Sequence, residues 1–290
     1  MRGRLSRRRL RAVALPAILL GFASVAGAGS IQQPGLTAGM PEGFGRTEGF
    51  YSASILDFGI RNTDPNTIQT VAIPTFFIWS TPWDIGGAHV SFKGAPLVGV
   101  ALDAPGLSET RPYSPYASVW FSWFLGNGFN LSLGEGAQIG LDNDLTKAIG
   151  RDFTAFQQNL AISYVEANWN VTANAFYTTG RTRDTGSQPH TLNVDLTATK
   201  RHYRKEFGFV GYGQWDLNSP SVGYLGGGQK QSELAVGALW GYLVGNLVAV
   251  QAKLTTDVYQ KNLGGRDTRL WVQVMLPVWT PRAPKPRNAP

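Results

Sequence analysis

The chain has 290 residues, no cysteine, and 26 Lys+Arg against 19 Asp+Glu. Without cysteine it can form no disulfide, Cys-ligated zinc site, iron–sulfur cluster or thiol nucleophile. Arg2, Arg4, Arg7, Arg8, Arg9 and Arg11 crowd the start and Arg282, Lys285 and Arg287 the tail, so the net +7 belongs to the ends. No basic face for nucleic acid is implied.

The chain opens with that arginine cluster, then an apolar stretch over 12–22, then the small-x-small run Ala26-Gly27-Ala28. This order predicts a Sec-type signal peptide over 1–28, cleaved near Ala28. The apolar stretch is too short to span a bilayer as a helix. Residues 29–46 are Gly/Pro-rich and read as an extended N-terminal segment ahead of a barrel over 47–279. A Pro-rich basic tail, 280–290, follows.

From residue 47 the sequence predicts twelve strands, at 47–60, 67–80, 86–102, 115–125, 129–140, 152–166, 169–180, 189–203, 206–216, 231–244, 247–259 and 268–279. Their alternation of apolar with small or polar residues predicts an all-β fold, an antiparallel transmembrane β-barrel of the bacterial outer membrane. Connections after the fourth, sixth, eighth and tenth strands are tight: Gly126-Asn127-Gly128, Glu166-Ala167-Asn168, Arg204-Lys205 and Gly245-Asn246. Asn-Gly and Gly-Asn pairs supply the positive φ of two-residue hairpins. Longer polar connections are expected at 103–114, 142–151, 181–188, 218–230 and 261–266. Short turns on one side and long loops on the other put both termini on the periplasmic side.

Sorting the faces gives a predicted lumen lining. The fifth strand sets Asn130, Ser132 and Gln138 against Phe129, Leu131 and Leu133. The seventh contributes Thr172 and Asn174, the eighth Asn193, Asp195 and Thr197, and the eleventh Gln251, Lys253 and Asp257. This set is mostly neutral, with no ring of one charge sign. Glu135 falls on the outward face, and strands 1–3, 9 and 10 alternate poorly. Trp79, Trp83, Trp123, Trp169, Tyr203 and Trp279 cluster near the short turns, where an aromatic girdle belongs.

One segment reads two ways. The largely apolar run 234–250 carries Gly237, Gly241 and Gly245 at the spacing of a membrane-helix packing face. It is short for a spanning helix and is split by Gly245-Asn246, so two strands are the preferred reading. For chemistry, His89 and Ser91 would share a strand face, which raises a barrel hydrolase. Gly226-Gly227-Gly228 has no following helix to cradle phosphate, and Asp142 with Asp144 is too few ligands for calcium. No catalytic residue, metal or cofactor is expected.

Residues 148–167, with Ile149-Gly150-Arg151-Asp152-Phe153 and Ala161-Ile162-Ser163-Tyr164, resemble a bacterial outer-membrane family named for the meta-pathway of phenol degradation and for transport. Leu270-Trp271-Val272-Gln273-Val274, the glycine-bearing 232–254 and Met40-Pro41-Glu42-Gly43 extend the likeness. The resemblance implies an outer-membrane channel for passive uptake of small hydrophobic or aromatic solutes, with membrane lipid and the outer-membrane assembly machinery as partners. It carries over no catalytic residue. Such barrels usually end on Phe, whereas here the last strand reaches Val278-Trp279 and a tail follows. The alternatives are a lipid or acyl hydrolase and a closed structural barrel acting through its loops.

Overall fold

The computed structural model describes residues 32–183, 186–220, 228–245 and 247–281. The expected signal peptide, residues 282–290 of the tail, Gly226-Gly227 and Asn246 lie outside the described residues. In chain order the strands are β1 (Gly49–Arg61), β2 (Thr67–Ile85), β3 (Ala88–Ala104), β4 (Leu107–Tyr113), β5 (Tyr116–Gly126), β6 (Phe129–Gln138), β7 (Ala155–Glu166), β8 (Trp169–Thr178), β9 (Arg181–Arg183), β10 (Gly186–Gln188), β11 (Thr191–His202), β12 (Lys205–Asp216), β13 (Ser232–Val244), β14 (Val248–Lys261) and β15 (Asp267–Trp279). One short helix, α1 (Asp144–Ala148), lies between β6 and β7.

Twelve of these strands form a closed antiparallel barrel. Each pairs with its neighbour in sequence, and β1 pairs with β15 to complete the ring. β4 continues β5 upward across Ser114-Pro115 and pairs with the outer half of β3. β9 and β10 make a small separate hairpin. The barrel and its short-turn side match the sequence reading. The candidate helix at 234–250 is instead the β13–β14 hairpin, in which a Cβ on Gly237 would fall 2.0 Å from the Leu254 carbonyl oxygen.

Burial is inverted relative to a water-soluble domain. On β11, Thr191, Asn193, Asp195, Thr197 and Thr199 are buried while Leu196 is 50% exposed. Large apolar side chains such as Phe209, Phe156 and Leu254 also point outward. Outward apolar and inward polar alternation fits a wall with lipid on its outer side. No helix among the described residues is long and apolar enough to cross a membrane.

Positive φ marks the tight turns: Gly86-Gly87 between β2 and β3, Asn127-Gly128, Ala167-Asn168 and Tyr203. The Gly86-Gly87 turn adds a fifth, because β2 runs on to Ile85. The β11–β12 turn falls on Tyr203-Arg204, one residue earlier than expected, with Lys205 opening β12. Three expected loops are structured, 181–188 by β9 and β10. Residues 107–113 form β4, which pairs with Val98–Ala104 and alternates half-buried with exposed side chains, hidden in the polar run Ser108-Glu109-Thr110-Arg111. Within 142–151, Asn143 caps α1 by accepting from Thr146 N at 3.0 Å, while its own amide donates to Thr146 Oγ1 at 3.1 Å.

Glu135 points outward, as the alternation requires. Its carboxylate accepts a 3.2 Å hydrogen bond from Gln158, its cross-strand partner on β7. Pairing with a neutral amide on the same face satisfies the acid where apolar residues surround it.

Candidate functional site

The N-terminal segment is not extended. Residues 33–44 fold through successive tight turns, with Leu36 N to Gln33 O, Ala38 N to Gly35 O, Met40 N to Thr37 O and Phe44 N to Pro41 O all within 3.2 Å. This segment sits inside the barrel as a plug. Gly35, Gly39 and Gly43 recur every four residues, and each amide donates to the wall: to Asp195 Oδ1 at 2.8 Å, Thr197 Oγ1 at 2.7 Å and Ser163 Oγ at 2.9 Å. The approach leaves no room for a side chain. A Cβ on Gly35 would lie 2.5 Å from the Tyr212 ring, and one on Gly39 2.6 Å from Leu239 Cδ1. Both glycines also have positive φ, which L side chains rarely adopt.

Two charged side chains hold the turn at 35–38. Asp195 also accepts from Thr37 N at 2.9 Å and Thr37 Oγ1 at 2.7 Å. Lys253 Nζ donates to the Gly35 carbonyl at 2.6 Å and the Ala38 carbonyl at 2.7 Å. Lower down, Glu42 of the plug pairs with Lys93 at 2.6 Å, whose ammonium lies 3.5 Å from the Trp120 ring centroid. Hydrogen bonds to charged groups contribute roughly 1.5–3 kcal/mol each, so the plug is firmly but noncovalently seated.

The plug separates two spaces. On the long-loop side is a chamber of about 90 Å³ walled by Ile55, Val71, Ile73, Phe76, Val98 and Val100, with Leu36 and Met40 of the plug beneath. On the short-turn side is a vestibule of about 550 Å³, bordered by Met40, Pro41, Phe44 and Arg46 of the plug and by Arg201, Glu206 and Met275. Met40 touches both. The lumen thus has two unlike walls. Ile55 of β1 and the inward residues of β2 and β3 present the apolar side, broken by Gln69 and Lys93. Beside it, at the β1–β15 seam, Arg269 of β15 binds Asp57 of β1 through Nε at 3.0 Å and a terminal nitrogen at 2.7 Å, and Asp267 at 2.8 Å. Arg61 reaches Glu233 at 3.3 Å and Asp267 at 3.2 Å. The expectation of a mostly neutral interior is corrected accordingly: these charges are inside, but paired.

All eleven residues predicted to line the lumen are buried. Seven reach the plug. Besides Asp195, Thr197 and Lys253, Ser132 donates to the Gly43 carbonyl, Asn174 to Thr37 Oγ1, Asn193 to the Gln32 carbonyl and Gln251 to the Gly39 carbonyl. The other four bond within the wall: Asn130 to the Gly128 carbonyl, Gln138 to Gln157, Thr172 to Ser163, and Asp257 to the Asp267 amide. Asp57, Arg61, Glu233 and Arg269 escaped the sequence reading. The run Arg269-Leu270-Trp271-Val272-Gln273 carries their signal, since it alternates with the two large polar residues on one face.

Trp79, Trp83, Trp169, Tyr203 and Trp279 are exposed at the short-turn ends, and Trp123 is half-buried beside the Gly86 carbonyl. Trp79 and Trp83 pack with Phe92 at 5.4–6.3 Å between ring centroids. His89 meets Ser80, not Ser91: its Nε2 is 2.7 Å from Ser80 Oγ, with Asp84 3.4 Å from Nδ1. The order resembles a hydrolytic triad, yet Ser80 is fully buried and its hydroxyl donates to the Arg46 carbonyl at 2.7 Å. A serine so engaged has no proton to give the imidazole and no access for an ester. Among the described residues no three His, Asp or Glu side chains form a metal-sized group. Asp142 pairs with Lys147, and Asp144 with Arg111 at 3.6 Å.

A family model described as "Putative MetA-pathway of phenol degradation" matches residues 43–274. The fold is similar to that of an outer membrane channel from Pseudomonas putida F1, with TM-score 0.58 and 8% identity over 80% of this chain and 96% of that one. A NanC porin gives TM-score 0.49 and 10% identity over 77% and 98% of the two chains. The β domain of the Bordetella autotransporter BrkA gives 0.46 and 12% over 80% and 100%. No curated protein matches the sequence.

Proposed function

The chain belongs to this phenol-degradation family, and on that premise we propose that it is an outer-membrane channel for passive uptake of small hydrophobic or aromatic compounds. The observation that carries the reading is the apolar chamber on the long-loop side. Its lining of branched aliphatic side chains with Phe76 and Tyr116 offers an apolar molecule roughly 25 cal/mol for each Å² it removes from water. The plug closes the lumen beneath the chamber, so water and ions have no wide path while an apolar solute has a place to partition. Lumen-lining residues hold the plug, and the aromatic residues at the short turns form the periplasmic girdle. Lipid is the partner of the outer face, and the assembly machinery inserts the barrel.

The test uses cells with an intact lipopolysaccharide leaflet and the apolar dye 1-N-phenylnaphthylamine, which brightens on entering hydrocarbon. Cells carrying the barrel take up the dye faster than cells without it, while liposomes carrying the barrel show little swelling in sugar. Equal dye entry with and without the barrel would refute the reading.

A further inference from the structure

The wall beside the chamber is broken on adjacent strands at one level. β2 and β3 pair as Ala72 with Gly99, then only Thr75 with Leu97, then Phe77 with Gly94. On the far side of β3, pairing with β5 stops at Ala95–Tyr116 and pairing with β4 begins at Val98–Tyr113, skipping Pro96-Leu97 and Ser114-Pro115. On the far side of β2, Pro74 and Thr75 together face Ser54. Pro74, Pro96 and Pro115 thus stand side by side, each without a backbone donor.

This break is costly where it stands. Trp79 marks the short-turn interface, and Pro74 lies five residues further along β2, about 16 Å at strand rise. At that depth water cannot satisfy freed backbone groups, and each one left unpaired costs several kcal/mol. Two carbonyls are rescued locally: Pro74 O accepts from Ser54 Oγ at 2.6 Å, and Pro115 O from Ile139 N at 2.8 Å. A mid-wall defect kept and patched in this way has the character of a built feature.

What lies behind it is the chamber. Ile73, Phe76, Ala95, Val98 and Tyr116 flank the break on the inside and line the apolar space, while Pro74, Pro96 and Leu97 are exposed on the lipid face. Phe76 and Tyr116 stack across the small Ala95 with centroids 6.4 Å apart and planes at 12°. We propose that this proline seam is a lateral portal, through which an apolar solute passes from the chamber into the bilayer, with the Phe76–Tyr116 pair as its sill. The proposal rests on the channel reading above and adds that the plug need not leave the lumen.

Two disulfide variants test it, in a chain with no cysteine of its own. Thr75→Cys with Leu97→Cys joins direct cross-strand partners and staples the seam. Thr37→Cys with Asn174→Cys ties the plug to the wall where the two side chains meet at 3.1 Å. Oxidised, the seam variant loses dye entry to the level of cells lacking the barrel, and reductant restores it, which also shows that the variant folds. The oxidised plug variant keeps dye entry. Unchanged entry through the stapled seam, or entry lost on locking the plug, would overturn the portal. Wild-type cells that take up dye no faster than barrel-free cells would instead overturn the channel reading itself.

Discussion

Asp195 on β11 and Lys253 on β14 grip the same four residues of the plug with opposite chemistry: the carboxylate takes the amides of Gly35 and Thr37, and the ammonium gives to the carbonyls of Gly35 and Ala38. Neither interaction reads a plug side chain apart from the Thr37 hydroxyl. The plug is therefore held largely through its backbone, which is why glycine matters more there than any particular side chain.

Asp195→Ala removes three hydrogen bonds to a carboxylate at once. At roughly 1.5–3 kcal/mol each, even partial compensation shifts the seated population by about tenfold or more. In planar bilayers the variant should show more frequent and larger open events than wild type. Indistinguishable conductance would mean that Asp195 does not seat the plug.

Gly39→Val attacks the same element by sterics. Its φ is +97°, and its new Cβ would meet Leu239 Cδ1 at 2.6 Å. The conductance should rise as with Asp195→Ala. Because both changes act through one unseated plug, the double variant should fall well short of the sum of the singles. Simple additivity would show two separate elements at work.

Arg269 and Asp57 are a buried pair with two close contacts, at 3.0 and 2.7 Å. Asp57→Asn removes one of the guanidinium's two carboxylate partners and leaves Asp267 at 2.8 Å, so the cost falls below the roughly 3–5 kcal/mol of leaving a buried charge unpaired. The temperature of the heat-modifiable gel shift should fall clearly below that of wild type. The barrel should still form, since the hydrogen-bond ladder between β1 and β15 is untouched.

The strands were legible wherever the lumen is polar. On β6, β8, β11 and β14 the inward Asn, Thr, Gln and Asp contrast with outward Leu, Val and Phe, so alternation identifies both the strand and its facing. On β2 and β3 the contrast vanishes, because lipid lies outside and the chamber inside, and both faces are apolar. Between Ile73 and Phe76, and again between Ala95 and Val98, two residues separate inward positions in place of one. These bulges throw off any period-two count. The poor alternation is thus the trace of the candidate site itself. The plug was hidden for a different reason. Its information is the spacing of Gly35, Gly39 and Gly43, which says that a backbone approaches something closely and not what that something is. The Ser80–His89 contact was out of reach as well, since it joins β2 to β3 across the register.

Val100→Asp asks whether apolar solutes partition into the chamber above the plug. Val100 is 3% exposed among Val71, Val98 and Leu102, in register between Val71 of β2 and Arg111 of β4. A carboxylate there makes the chamber hostile to an apolar guest, while Val100→Met keeps it apolar. With both variants verified as barrels by heat-modifiable mobility, dye entry is lost in Val100→Asp and kept in Val100→Met. Wild-type dye entry in a folded Val100→Asp barrel would show that apolar solutes do not pass through the chamber.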